Sequence, residues 1–206
     1  MSKPYFVPVT DNGMGLSRSN WAVSMLSAFA GRDFIVQGFS FPYPDGNANL
    51  AVKSFLASEC DEMIFIDTDV VFTRQHLDWL LEHDEPIVFG LYPKKQVGLN
   101  FPVLALDDNL HPFQQDGPLC EVQCTARGFM RAHRSVFEKL KPFVPLKKDV
   151  VTGGMIHCYY QNPPEGHGDD FEFCKLWRKH GGRVLVDKRI CTQHAGSALY
   201  PIPGTY

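Results

Sequence analysis

The sequence predicts an α/β fold, a mixed and mostly parallel sheet flanked by helices. Short apolar runs alternate with helix-like segments through the first half of the chain, which is the pattern of β-α-β units. One of these runs, EMIFI at residues 62–66, is apolar after its first residue, as a strand buried on both faces must be. The chain has 206 residues, 44% of them apolar and 13% aromatic, enough for a single packed domain spanning residues 1–206.

The elements follow in order. YFVPV (5–9) reads as the first strand and LSRSNWAVSMLSAFA (16–30) as a helix closed by Gly31. DFIVQGF (33–39) and NANLAVKSFLAS (47–58) read as the second strand and helix. EMIFI is the third strand, followed by a helix from about Arg74 to Glu82 and a strand PIVFG (86–90). In the second half, FPVLAL, CEVQCTARGFMRAH and DVVTGG are separated by Pro, Gly and Asp clusters, predicting a mixed sheet with long loops. A helix over 169–180 ends at Gly181-Gly182, and RVLVD makes a last strand. The tail from 197 to 206, with two prolines and one glycine among its last seven residues, is expected to be an extended strap or mobile flap.

Composition narrows the function. Twenty basic against twenty-three acidic residues give a formal charge of -3, and the lysines fall in short pairs (Lys94-Lys95, Lys147-Lys148), so a nucleic-acid partner is not indicated. No run approaches the roughly 20 apolar residues of a membrane span. The start, MSKPYFVPVT, lacks the three regions of a secretory signal, and the cytoplasm is the expected compartment. Six cysteines form no CxxC pair, which leaves Cys120 and Cys124 a weak zinc candidate.

Two places carry chemistry. The third strand runs into Asp67 and Asp69, and ligands of open α/β sheets bind beyond the carboxyl ends of strands. Partly buried carboxylates need a partner, and a divalent cation, Mg²⁺ or Mn²⁺, is one that takes carboxylates together with phosphates. The competing assignment makes one of them a cap for the helix near Thr73. The second place is GHGDDFEFCKLWRKHGGRVLVDKRICTQHAG (166–196). Steps of about 100° put Phe173, Cys174, Leu176 and Trp177 on one helical face, with Asp170 near its middle, Asp169 at its edge and Glu172 on the far side. Asp170, in the first turn and pointing inward, is the candidate base. His194, after the last strand, is a candidate ligand that closes the metal site.

A strand ending in DxD, the FGLYPKK and TARGFMRAHRSVFEKL segments, an acidic pair opening a helix that ends in Gly-Gly, and TQHAG in the last loop together resemble a nucleotide-sugar glycosyltransferase of the GT-A (Rossmann-like) fold. The resemblance is to small family 2-like enzymes of bacteria and phages, and covers roughly residues 5–200. It implies a nucleotide-binding half over about 1–95 and an acceptor and catalytic half over about 96–200. It further implies Mn²⁺ or Mg²⁺ on the diphosphate, Asp69 as direct ligand, Asp67 reaching the ribose or a metal-bound water, His194 completing the metal shell and Asp170 as base for an unknown acceptor hydroxyl. UDP is the expected nucleotide and inversion the expected outcome, with retention the alternative. Asp169 departs from the Glu usual there, and His167 is additional. Pro8, Thr10, Asp11 and Asp45 are candidate base and ribose contacts, and Gly128 a point of close approach to the sugar.

FIDTDVV also fits the haloacid-dehalogenase phosphatase signature, but those enzymes carry it on their first strand. A sugar-phosphate nucleotidyltransferase would need a Gly-rich basic loop that PVTDNGMGLSRSN lacks. A non-catalytic carbohydrate-binding module would not require both sets of carboxylates.

Overall fold

The computed structural model describes residues 4–10, 18–39, 44–96, 100–106, 115–149, 153–196 and 199–200. The predicted units β1 (Tyr5–Thr10), α1 (Arg18–Ala28), β2 (Phe34–Phe39), α2 (Pro44–Ala57) and β3 (Glu62–Asp67) are present. They are followed by β4 (Val70–Val71), α3 (Arg74–Leu81), β5 (Ile87–Leu91), β6 (Val103–Leu104), β7 (Leu119–Val122), β8 (Cys124–Thr125) and β9 (Phe129–His133). The chain continues through α4 (Arg134–Leu140), β10 (Leu146–Lys148), β11 (Met155–His157), α5 (Asp169–Lys179), β12 (Val184–Cys191), β13 (Gln193–Ala195) and β14 (Leu199–Tyr200). Helix α2 begins at Pro44, three residues before the sequence reading, because proline suits a helix's first turn, where its missing N–H costs nothing.

Among the described residues the main sheet has seven strands in the order β2-β1-β3-β9-β5-β12-β7. The pairs β1/β2, β1/β3 and β5/β12 are parallel, while β9 runs against both β3 and β5, and β7 against β12. Alternation along β3 builds both layers. Met63 and Phe65 face a core shared with α2, α4 and α5, while Ile64 and Ile66 face a second core under α1 and α3. All four are fully buried, and each such side chain contributes about 1.5–3 kcal/mol on leaving water.

The second half completes the same mixed sheet. CEVQCTARGFMRAH divides into β7, β8 and β9, and β9 inserts between β3 and β5. Phe129, Met130 and Ala132 are buried there, and the buried Arg131 is accommodated by Glu62 at 2.5 Å and by the carbonyls of His83 and Glu85. A helix, α4, follows directly where the sequence reading placed none. The end of the DxD turn is tied down by a small sheet, β14-β13-β4, in which His194 pairs with Val70. Of the expected tail, Leu199–Tyr200 pairs with β13 as a strand; residues 197–198 and 201–206 lie outside the described residues, as do 150–152 of DVVTGG. No described helix is long and apolar enough to cross a membrane.

Candidate active site

The two aspartates of DxD part company. Asp67 is the last residue of β3, while Asp69 sits in the turn to β4 and is 2% exposed. Neither caps α3: Thr73 does, accepting the His76 N–H at 3.3 Å. The Asp69 carbonyl takes the Ala195 N–H at 2.7 Å, so β13 holds the turn and delivers His194 to it. His194 Nε2 lies 3.4 Å from Asp69 Oδ2, and Lys95 Nζ donates to the same oxygen at 2.6 Å. Burial pushes the Asp69 carboxyl up, but hydrogen bonds and charge from His194 and Lys95 outweigh it and hold the group below its ordinary range.

His194 is oriented by its other nitrogen. Nδ1–H donates to the Pro93 carbonyl at 2.8 Å, which in the neutral ring leaves the lone pair on Nε2, aimed at a carboxylate oxygen. At 3.4 Å from Oδ2, Nε2 either donates a proton to the carboxylate, as the lowering of Asp69 reflects, or, in the neutral ring, shares a metal ion with it. Two ligands of one divalent ion, each about 2.1 Å from it, stand about 3 Å apart. Asp69 Oδ1 is buried and has no hydrogen-bond partner, an unmet demand at this point. The carboxylate and imidazole donors, with an orphaned oxygen, therefore fit a divalent metal.

Gly128 connects this corner to the next. Its carbonyl accepts the Asp67 N–H at 2.9 Å, and a Cβ there would stand 2.9 Å from Asp67 Oδ2 and 2.8 Å from the Tyr92 ring, so no larger residue fits. Tyr92 in turn packs edge-on against His194, with ring centroids 4.9 Å apart. Burial first, then Asp67 and Asp170, push the Tyr92 hydroxyl well above its usual value.

The acidic pair of α5 meets a cation that the sequence reading did not single out. Arg127 Nη1 contacts Asp169 at 2.6 Å and also pairs with Asp170. The guanidinium lies 5.1 Å from the Phe65 ring and 5.0 Å from that of Tyr160, between two aromatic faces. The side chains of Asp169 and Asp170 are 14% and 22% exposed, so both are mostly inward and both are paired with Arg127. Burial raises both carboxyls, and Arg127 counters without cancelling it. Phe173, Cys174 and Trp177 of the expected face are buried, while Glu172, on the other side, pairs with Lys175.

The remaining candidates are dispersed. Pro8 is buried inside β1 opposite Gln37, whereas Thr10 ends that strand opposite Asp67. Asp11 lies outside the described residues. Asp45, in the first turn of α2, lines a cavity of about 420 Å³ with Asn49, Lys147, Tyr160 and Gln161. That cavity adjoins the acidic pair through Tyr160. His167 is exposed before α5. Cys120 and Cys124 are free, buried thiols. Among the described residues, Glu82, His83 and Asp187 form a group whose ligand atoms lie within 4.8 Å of one another. Arg189 already pairs with Glu82 and Asp187 there.

The arrangement of the sheet and its helices is that of the GT-A fold. No protein-family model matches the chain, and no curated protein does. A197 from STIV superposes with a TM-score of 0.58 at 17% identity, covering 94% of this chain and 86% of that one. S. aureus TarS, as the 1–349 fragment, superposes with a TM-score of 0.54 at 12% identity over 92% of this chain and 59% of that one. A Drosophila β-1,4-galactosyltransferase 7 mutant in complex with manganese, UDP-Gal and xylobiose is similar with a TM-score of 0.49 and 13% identity, over 98% and 72%. These likenesses are of fold.

Proposed function

We propose that the chain is a metal-dependent glycosyltransferase that moves a sugar from a nucleotide-sugar donor, a UDP-sugar, to an acceptor hydroxyl with inversion. The observation that carries this reading is the meeting of Asp69 Oδ2 and His194 Nε2 at 3.4 Å beside Asp67, on the same sheet edge as the Arg127-Asp169-Asp170 cluster. Asp69 and His194 would hold Mn²⁺ or Mg²⁺, with Asp67 beside them. Bound there, the ion supplies neutralisation of the charge that develops on the departing diphosphate.

The chain's own residues do the rest. Asp170, its carboxyl raised by burial, takes the acceptor's proton, since a base works best when its pKa approaches the working pH. Arg127 pairs with both carboxylates and fixes their orientation, with Asp169, at the edge of the helical face, the proposed contact for the acceptor. Gly128 keeps the backbone thin where the donor sugar must approach Asp67. Asp45, Pro8, Thr10 and Asp11 are the proposed contacts for ribose and base, and the cavity beside Tyr160 is the proposed entry for the acceptor.

The test is a thermal-shift and calorimetric series with UDP and UDP-sugars. Stabilisation that requires Mn²⁺ or Mg²⁺ and vanishes in excess EDTA supports the reading. Equal UDP affinity with and without EDTA sinks the metal-diphosphate model.

A further inference from the structure

Lys95 stands where a cation belongs. Its ammonium is 2.6 Å from Asp69 Oδ2, the same oxygen that faces His194 Nε2 at 3.4 Å, and the aspartate side chain is only 3% exposed. A divalent ion shared by Oδ2 and Nε2 would lie within a few ångströms of that ammonium, and two cations so close in a site with little water repel strongly. The lysine and the ion therefore exclude one another at Oδ2. Lys95 also belongs to the segment that orients the histidine: Pro93, two residues earlier, accepts the His194 Nδ1–H, and the Lys94 N–H donates to the Asn100 carbonyl at 2.7 Å. A displaced ammonium on this short tether stays beside the site, and a diphosphate is the new anion that arrives with the ion.

We propose that Lys95 is the resident cation of Asp69 in the metal-free protein and passes to the diphosphate when a divalent ion takes the carboxylate. The second half of this exchange rests on the nucleotide-sugar reading; the first does not. Because the ion must displace Lys95, it binds poorly alone. Because the diphosphate gives Lys95 a new partner, nucleotide and ion bind cooperatively, each raising the other's affinity by the same factor. The site then closes on the pair and not on free metal.

The experiment is a Mn²⁺ titration of the protein without nucleotide, read by the electron paramagnetic resonance of free Mn²⁺, followed by UDP titration at saturating Mn²⁺. Lys95→Met should bind Mn²⁺ alone about tenfold more tightly than the unaltered chain and UDP about tenfold more weakly. Lys94→Met, altered at an exposed neighbour, should match the unaltered chain in both. Unchanged or weaker Mn²⁺ binding by Lys95→Met, an equal gain in Lys94→Met, or no Mn²⁺ binding by any of the three overturns the exchange. Absence of UDP binding to the unaltered chain at any Mn²⁺ concentration overturns the nucleotide-sugar reading instead, while the Mn²⁺ titration still decides whether Lys95 holds the ion's place.

Discussion

The Tyr92 hydroxyl accepts the backbone N–H of Gly128 at 3.2 Å, between the two acidic corners of the candidate site. On one side of Tyr92 stands His194, and on the other Asp67 and Asp170 act on its hydroxyl. Gly128→Ala would put a methyl 2.8 Å from the ring and 2.9 Å from Asp67 Oδ2. Overpacking of this kind costs about 1–3 kcal/mol. The variant should lose that much in urea denaturation and should lose most UDP affinity; unaltered values for both would show that the approach is not tight.

Arg127 holds two carboxylates between two rings. Arg127→Met leaves Asp169 and Asp170 facing one another without a cation, and breaking a buried pair by removing one partner costs about 3–5 kcal/mol. The triple variant Arg127→Met, Asp169→Asn, Asp170→Asn should recover much of that stability, because the uncompensated charges are gone. Equal instability of the single and triple variants would assign the loss to the packing of Arg127 against Phe65 and Tyr160.

Transfer should show an acid limb above the ordinary aspartate range near 3.9, because burial raises the Asp170 carboxyl and only the ionised form accepts a proton. Asp170→Asn should keep metal and UDP binding and lower transfer by about 10²-fold or more. Asp169→Asn should affect acceptor KM more than kcat. Retention of configuration, or full activity in Asp170→Asn, removes Asp170 as the base.

Away from the site, Asp187 is fully buried and takes hydrogen bonds from Arg189 and from His83 at 2.8 Å. Burial raises its carboxyl, but Arg189 and His83 prevail and hold it below the usual value. Its contribution is therefore present above the unfolded-state pKa near 3.9 and is lost as pH falls through the lower, folded value. Asp187→Asn should cost about 2 kcal/mol at neutral pH and flatten the stability curve below pH about 4. An unchanged acid slope would place the acid sensitivity elsewhere.

Local pattern was enough where neighbours in sequence are neighbours in space. The apolar run ending at Asp67 and the face carrying Phe173, Cys174 and Trp177 depend on periods of two and 3.6 residues, and each can be read from a short window. Arg127 was present in TARGFM and Lys95 in YPKK, yet neither declares its partner. Arg127 finds Asp169 across 42 positions, and Lys95 finds Asp69 across 26. A charged residue in a short motif reads the same on a surface as in a core.

The sequence by itself determined the alternation of strands and helices through the first half of the chain, the carboxylate-bearing turn at the carboxyl end of β3, and an acidic helix start, because backbone propensity and alternation act over a few residues. The tertiary structure alone decided that β9 enters the sheet between β3 and β5, that β13 carries His194 to Asp69, and that Asp170 shares Arg127 with Asp169. Those outcomes depend on which distant segments bury one another's apolar faces and satisfy one another's charges, a choice made only once the whole chain has collapsed around its two cores.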